Sequence, residues 1–551
     1  MADYNDLAEL LFPDVTLTLD DLEKRFPPRD LPSGAEVTRF APSPTGFLHT
    51  GSLFTAMIAY TIAKQSHGVY FFRLEDTDTK RTIAGSASDL IDQLQEFGIV
   101  ADEGYFPAGD KGIYGPYQQS CRRDIYRVVI KELIRRGRAY PDFCTMEDLD
   151  KIRKFQEENK ILPGYYGAYA RDHNLSVDEE IAKIKAGTPW VIRYKSRGDH
   201  DKKTSFVDAI RGKIELQDND VDVVILKSDG LPTYHFAHVC DDHFMRTTLV
   251  TRGEEWIPST PIHLDIFNAL GWKAPRYAHL PVIMKLDHGN KRKLSKRKDP
   301  EAAVSYFLDA GYPPKALLVY LMSIANSNFE EWSIANKSLD LSSFTFDLSK
   351  MSLDGALFDI DKLNYFSKEI IAKEPADSLV KKVSLWSEKN DQALALKIKK
   401  DPVYFAKILN IEKQRPNPRK DYSKYSDIEP LTRYFFDSDY AKIIASPLPF
   451  AASLDKAFIA NFLKELANKM AYGVDESIWW NSVKEVAGTN GFALSNKDYK
   501  ANPNNYKGNV SGAAEILRIA LTGTSQSPNL HEIIEILGKE RVISRLLAFS
   551  K

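Results

Sequence analysis

Residues 40–52 read Phe-Ala-Pro-Ser-Pro-Thr-Gly-Phe-Leu-His-Thr-Gly-Ser, and residues 291–298 read Lys-Arg-Lys-Leu-Ser-Lys-Arg-Lys. The first segment has the composition of a strand end that turns and opens a helix, with His49 at the turn. Pro42 and Pro44 stiffen such a loop. Gly46 and Gly51 let backbone or nucleotide approach closely. A helix start offers unpaired N–H groups and a partial positive charge of roughly half a unit, and His49 can donate a hydrogen bond to a phosphate oxygen in either tautomer. The bland alternative for His49 is an ordinary helix cap. The second segment gathers Lys291, Arg292, Lys293, Lys296, Arg297 and Lys298 around a Leu294-Ser295 interruption. The usual fate of such a run is a solvated loop. Here the leucine supplies an apolar anchor, and cations on a loop can fold over a triphosphate and neutralise charge as pyrophosphate leaves. Two separated segments able to reach one polyphosphate point to chemistry on ATP. Residues 42–52 hold neither Gly-x-x-x-x-Gly-Lys-Ser/Thr nor Gly-x-Gly-x-x-Gly, so a P-loop or dinucleotide fold is not supported.

The surrounding pattern supplies a scaffold for these residues. Residues 36–41 read as a strand. Leu53, Phe54, Met57, Ile58 and Ile62 recur at helical spacing until Gly68, and residues 69–74 read as a second strand. Strand, helix, strand is the start of a parallel sheet, whose ligands bind outside the C-terminal strand ends. Residues 121–209 are charge-rich, with helical patterns at 122–136 and 146–159, and read as an insertion. Strand signals return at 221–226, 248–251 and 277–284, alternating with helices near 234–243 and 260–270. Beyond Pro300 the chain reads as mostly helical. Residues 1–34 are acidic, then Pro-rich, and read as a small helical extension and a linker.

The bulk numbers bound the class. The chain has 551 residues, 43% hydrophobic and 27% charged, ordinary globular usage. No run approaches the roughly 18–20 apolar residues of a membrane span. The N-terminus lacks the basic and apolar regions of a signal peptide. Three cysteines, Cys121, Cys144 and Cys240, are too few for a disulfide framework and read as small core residues. These features predict a cytoplasmic protein. The net charge of −2 excludes a globally basic surface, so a nucleic-acid partner would be held by local patches.

Together the two segments resemble the signature motifs of class I aminoacyl-tRNA synthetases: His49-Thr50-Gly51-Ser52 stands for His-x-Gly-His, and Lys293-Leu294-Ser295-Lys296-Arg297 for Lys-Met-Ser-Lys-Ser. Ser52 departs from the second histidine. A small residue there is common among glutamate enzymes, and the specific likeness is to the bacterial-type glutamyl-tRNA synthetases. It is carried further by Arg39–Gly46, Arg73-Leu-Glu-Asp-Thr-Asp78, Gly115–Ser120, Leu226–His235, Asp241–Met245 and Arg252–Trp256, in the family's order over about 35–365. The C-terminal third matches more weakly, as in Leu517–Gly523.

The resemblance implies a fold that is α/β plus all-α. A Rossmann-like parallel-sheet catalytic domain (35–120 and 210–300) would carry an inserted acceptor-end-binding domain (121–209). A stem-contact helical domain (301–374) and a helical anticodon-binding region (375–551) would follow, with 1–34 as an extension. It implies attachment of glutamate to tRNA-Glu in two steps through glutamyl-adenylate, with ATP and Mg²⁺. The ATP site would comprise Pro42, Ser43, Gly46, His49, Gly51, Ser52, Lys293, Leu294, Ser295, Lys296 and Arg297, with His49, Lys293 and Lys296 acting in catalysis. Glutamate would be held by Arg39, Ala41, Ser43, Glu75, Tyr234, His238 and Arg252, with Arg252 on the side-chain carboxylate and Glu75 on the ammonium. An arginine fork suits a carboxylate. The family often has asparagine where this chain has His238.

Some relatives carry zinc in the insertion. Here only Cys144 survives as a thiol, and no zinc is expected. Arg135, Arg136 and Arg138 are candidates for phosphates of the acceptor end, and residues 397–400 and 413–420 are basic patches near turns, with a solvated surface as the alternative for each. Expected partners are tRNA-Glu, glutamate and ATP, with no membrane and a monomeric chain; tRNA-Gln as a second acceptor stays open. The alternatives are a glutaminyl enzyme of the same class, a truncated-type paralogue that glutamylates a modified tRNA base, and a catalytically inactive tRNA-binding paralogue.

Overall fold

The structure is a computed structural model that describes residues 2–78, 80, 83, 85–295 and 298–550. The chain forms two compact units, Met1–Tyr306 with Leu318–Asp359, and Phe307–Leu317 with Ile360–Lys551.

The first unit opens with α1 (Tyr4–Leu11) and α2 (Leu19–Arg25), each started by a capping box, Asp3 with Asp6 and Thr18 with Asp21. The extension is a packed element rather than a loose arm. Lys131 donates to the Phe12 and Val15 carbonyls at 3.0 and 2.8 Å, and Arg29 forks onto Glu103 at 2.9 Å.

The sheet begins with β1 (Val37–Phe40), α3 (Thr50–Gln65), β2 (Val69–Phe72), α4 (Ser86–Glu96) and β3 (Glu103–Gly104); β2 pairs in parallel with both other strands. All four residues of β1 are buried, as a parallel strand covered on both faces requires. Helix α3 buries residues around most of its circumference, from Leu53 to Ala63, so it is a core helix. The turn that follows it ends at Gly68, where a Cβ would lie 1.9 Å from the Glu36 carbonyl oxygen.

The chain then builds α5 (Arg123–Arg135), β4 (Ala139–Asp142), α6 (Met146–Glu158), α7 (Val177–Lys185), β5 (Val191–Tyr194), β6 (Lys203–Asp208), β7 (Gly212–Gln217) and β8 (Val224–Leu226). Strands β4, β5 and β8 form an antiparallel sheet. This corrects the reading of residues 221–226 as a return to the parallel sheet: β8 completes the sheet of the inserted segment. The return runs through α8 (Tyr234–Phe244), β9 (Leu249–Gly253), α9 (Thr260–Leu270) and β10 (Arg276–Leu280), with β10 parallel to both β9 and β6. The single strand expected over 277–284 is two, β10 and β11 (Ile283–Asp287), broken where Pro281 cannot donate to a ladder. A hairpin joins β11 to β12 (Asn290–Lys293), and β13 (Ala356–Leu357) pairs in parallel with β11.

Thr248 links the two parallel groups. Its N–H donates to the Val37 carbonyl at 3.0 Å, and its carbonyl accepts from Arg276 N at 2.9 Å. The spatial order is thus β3-β2-β1-β9-β10. The chain leaves β1 toward one edge and later returns on its other side, so β1 and β9 flank a topological switch point, where open α/β sheets bind ligands.

The second unit has no strand among its described residues. Its helices pack around a core that includes Val383, Phe405, Phe462, Leu466, Val483, Leu517 and Leu546. No helix of the described chain is long and apolar enough to cross a membrane. Of the cysteines, Cys240 is a buried core residue, Cys144 is half-buried, and Cys121 is exposed, contrary to the core reading.

Candidate functional site

The C-terminal ends of β1 and β9 open into a cavity of about 1370 Å³. Its wall includes Arg39, Ala41, Pro42, Ser43, Gly46, His49, Gly51, Ser52, Glu75, Tyr234, Arg252, Lys293 and Leu294. Residues from both signature segments and from the glutamate set therefore share one cavity. Ser295 and His238 are not on its wall. Lys296 and Arg297 lie outside the described residues.

The loop before α3 is pinned at three carbonyls. Pro42 accepts from Glu75 N at 3.0 Å, Pro44 from Ile83 N at 2.8 Å, and Leu48 from Val304 N at 3.1 Å. Gly46 takes a φ of 123°, which favours glycine. His49 caps α3: its Nδ1 accepts from Gly51 N at 3.0 Å. The cap reading and the functional reading are thus compatible, because an accepting Nδ1 puts the imidazole proton on Nε2. A Cβ at position 51 would sit 3.2 Å from that Nδ1.

The cationic segment is part of the same structure. The Thr50 hydroxyl donates to the Glu301 carbonyl at 2.7 Å, tying the helix start to the chain just past the cations. Asp299 organises the loop: it accepts both Nη atoms of Arg292 at 2.6 and 2.8 Å and Ser295 N at 2.8 Å. Hydrogen bonds from Arg292 hold its carboxyl far below the usual range. Leu294 is buried, as the anchor reading expects. Lys293 points to Glu255 at 3.4 Å. Arg292 is committed to Asp287 and Asp299 and is a structural cation rather than a phosphate ligand.

Beneath the amino-acid end lies a buried charge network centred on α8. Asp242 accepts from Arg73 at 2.7 Å and from Arg39 at 3.2 Å. Burial would raise the Asp242 carboxyl, but Arg39 and Arg73 outweigh it and hold it well below its ordinary value. Arg73 also donates to Glu75 Oε1 at 2.9 Å. Burial pushes Glu75 upward, with Arg73 and Arg39 pulling it back, so this acid is poised to gain from an arriving cation. Asp241 accepts from Arg122, Gln119 and Tyr126 at 2.6, 2.8 and 2.9 Å. The pair Asp241-Asp242 is visible in the sequence as part of a motif, but its place as the hub needed the fold.

His238 departs from expectation. It is wholly buried behind Tyr234, its ring stacked on the tyrosine at 5.7 Å, with Nδ1 2.9 Å from Asp242 Oδ2. Burial pushes it down to about 3 against the pull of Asp242, so it is a neutral packing residue behind the wall. Arg252 is held by His279, His263, Thr260 and Trp256 at 2.9, 3.1, 2.8 and 3.4 Å.

In the insertion, Asp142, Cys144 and Asp172 place one ligand atom each within 4.8 Å of one another. The donor set does not fit structural zinc, which takes thiolates and imidazoles. Asp142 already holds Arg193 at 2.5 Å and Tyr165 at 2.9 Å, and Asp172 accepts Phe143 N at 2.8 Å. Burial pushes the Cys144 thiol up to about 11, so it keeps its proton. The proposed phosphate contacts of the insertion are also occupied. Arg135 pairs with Glu9 at 2.7 Å, Arg136 with Glu132 at 2.8 Å and Arg138 with Asp265 at 2.9 Å. In the second unit Lys397 pairs with Glu429 and Asp439, both at 2.7 Å, and Lys413 donates to the Ile371 carbonyl at 2.6 Å.

Comparison with known proteins matches residues 36–365 to the catalytic domain of class I tRNA synthetases (E and Q) and residues 506–549 to an anticodon binding domain. A glutamate--tRNA ligase of Clostridium perfringens strain 13 is 43% identical over 544 residues, covering 98% of this chain and 100% of its own. One of Acetivibrio thermocellus is 43% identical over 545 residues, covering 99% of each. A crystal structure of a glutamate tRNA ligase from Elizabethkingia meningosepticum, in complex with its amino acid, superposes with a TM-score of 0.74 at 30% identity, covering 93% of this chain and 99% of that one.

Proposed function

Because this chain belongs to the glutamate--tRNA ligase family of class I aminoacyl-tRNA synthetases, we propose a role for each charged residue of its cavity in the family's reaction. The chain is an ATP-using ligase that attaches glutamate to tRNA for translation. The reading of the individual residues rests on one observation: His49, Lys293, Arg39, Glu75 and Arg252 face a common cavity at the switch point of the sheet.

In the first step a carboxylate oxygen of glutamate attacks the α-phosphorus of ATP. A P–O bond forms to give glutamyl-adenylate, and the bond to the β-phosphate oxygen breaks, releasing pyrophosphate. In the second step a hydroxyl of the terminal tRNA ribose attacks the activated carbonyl and releases AMP. Neither step needs a covalent enzyme intermediate, so the protein contributes positioning and charge stabilisation. His49 donates its Nε2 proton to a phosphate oxygen. Lys293, Lys296 and Arg297 neutralise the leaving pyrophosphate, and the Ser295 hydroxyl offers it a hydrogen bond. Pro42, Ser43, Gly46, Gly51 and Ser52 shape the nucleotide floor, and buried Leu294 anchors the cationic loop. Arg252 binds the side-chain carboxylate, Glu75 holds the ammonium, and Arg39, Ala41, Ser43 and Tyr234 complete the pocket. His238 is left out of direct contact.

Mg²⁺ bound with ATP would supply further neutralisation of the triphosphate. Asp78 and Glu255 on the cavity wall are oxygen donors of the kind a hard cation takes alongside phosphates. We place the chain in the cytoplasm as a monomer with no zinc, and take tRNA-Glu as its acceptor. Charging purified tRNA-Glu and tRNA-Gln side by side tests the acceptor: efficient glutamylation of tRNA-Glu is expected, and a preference for glutamine over glutamate with either tRNA would sink the reading. Lys296→Ala is expected to lower kcat by about 10²–10³-fold, the scale of removing one transition-state donor.

A further inference from the structure

Arg252 sits at the end of β9, 5% exposed, with an unusual set of neighbours. Buried charges are normally paired with an opposite charge. Among the described residues no carboxylate lies within ion-pair distance of this guanidinium. Its partners are all neutral: His279 Nε2 on Nε at 2.9 Å, His263 Nδ1 on Nη1 at 3.1 Å, and the Thr260 hydroxyl and Trp256 carbonyl on Nη2 at 2.8 and 3.4 Å. The Tyr277 ring lies against it, 4.6 Å from the guanidinium carbon.

The two imidazoles are fixed in the one form that suits such a partner. An arginine only donates, so each facing ring nitrogen must carry a lone pair. The proton of His279 is therefore on Nδ1, which lies 2.7 Å from Asp208 Oδ2. Asp208 is itself fixed: Oδ2 also accepts His279 N at 3.0 Å, and Oδ1 accepts Ile210 N and Arg211 N at 2.9 and 3.0 Å. The proton of His263 is on Nε2 and donates to His235 Nδ1 at 3.1 Å. Asp208, His279 and His263 are all buried. The arrangement resembles the way carboxylates that accept the far N–H of metal-binding histidines orient those rings, with a guanidinium in place of the metal.

We propose that His279 with Asp208, and His263 with His235, are positioning residues that hold the Arg252 fork in place without neutralising it, so that the missing counter-ion is the side-chain carboxylate of the substrate. This rests on the assignment of Arg252 to that carboxylate. It adds how specificity is made. An acidic residue beside Arg252 would satisfy the cation, and a carboxamide would then be as welcome as a carboxylate. Neutral acceptors leave the charge uncompensated, and glutamine offers no anion to it.

The test uses the full chain, with the KM for glutamate, the KM for ATP and the glutamine-to-glutamate ratio of kcat/KM read separately in tRNA charging. Asp208→Asn keeps the shape but offers a single oxygen. Either the two backbone N–H groups lose their acceptor, or the amide NH₂ faces His279 and reverses its tautomer. Asp208→Asn and His279→Leu are expected to raise the KM for glutamate about 10–100-fold, the scale of losing an orienting partner. The KM for ATP should stay within about twofold, and His279→Gln, which keeps an acceptor, should recover most of the loss. His263→Glu, which supplies an anion, is expected to raise the glutamine-to-glutamate ratio at least tenfold. An unchanged KM for glutamate in Asp208→Asn and His279→Leu, equal rises for glutamate and ATP, or a His279→Gln variant as impaired as His279→Leu would each overturn the proposal. Arg252→Ala separates the two claims: if it leaves the KM for glutamate unchanged, the carboxylate assignment itself fails, and this inference with it.

Discussion

At the scale of single residues, the site depends on which atom of each polar group is already used. His49 is both cap and candidate catalyst because Gly51 N takes Nδ1 and leaves the proton on Nε2. Gly51→Ala would place a methyl 3.2 Å from that nitrogen, pushing the ring from its hydrogen bond. The expected result is a fall in kcat of about 10-fold or more, since an ångström of misplacement can cost about 10²-fold, with a melting temperature close to that of the parent. Residue types at the site were legible in the sequence, because Arg39, Glu75, Tyr234, Arg252, His49 and Lys293 sit in recognisable strings and all reach one cavity. His238 was not legible. A histidine facing a ligand and one packed behind a tyrosine have the same neighbours in sequence, and only burial separates them. The partners of Arg252 were equally hidden, since Asp208, His263 and His279 come from three different elements.

At the scale of elements, the expected pieces of the parallel sheet formed where periodicity was strongest, as in α3 and α9, while the inserted segment was harder to read. Residues 221–226 have the apolar content of a core strand in either sheet, and the choice of β5 as partner is a tertiary decision. The insertion also carries a pH signature. Glu180 on α7 is 2% exposed with Oε2 unpartnered among the described residues, and burial pushes it up from its ordinary 4.5 to about 7. Its folded-state pKa is therefore above its unfolded value. The folded state holds the extra proton, and the stability this confers is full below about 4.5 and lost as pH rises toward 7. Glu180→Gln removes that dependence. Between pH 5 and pH 8 the parent should lose about 1–3 kcal/mol more than the variant, because holding one extra proton is worth roughly 1.4 kcal/mol for each pH unit crossed. The measurement is the melting temperature of each at both pH values; equal changes would contradict the assignment of the burial cost to Glu180.

At the scale of the whole molecule, the chain divides its work between a unit that holds the cavity and a helical unit that includes the matched anticodon-binding segment. The helical character of the latter was legible in the sequence, but the local pairing of its basic runs was not, because lysines such as Lys397 and Lys413 are folded onto acids and carbonyls that sequence does not place beside them. Most directly at stake is whether the cavity of the first unit performs glutamate activation with His49 as a hydrogen-bond donor to a phosphate oxygen of ATP. Glutamate-dependent exchange of labelled pyrophosphate into ATP, measured with tRNA-Glu present for the parent and for His49→Ala, tests it most directly. Exchange in the parent is expected to need glutamate and not to be supported by glutamine, and the variant is expected to lose about 10²–10³-fold with the KM for glutamate little changed. A variant that exchanges as fast as the parent would contradict the claim.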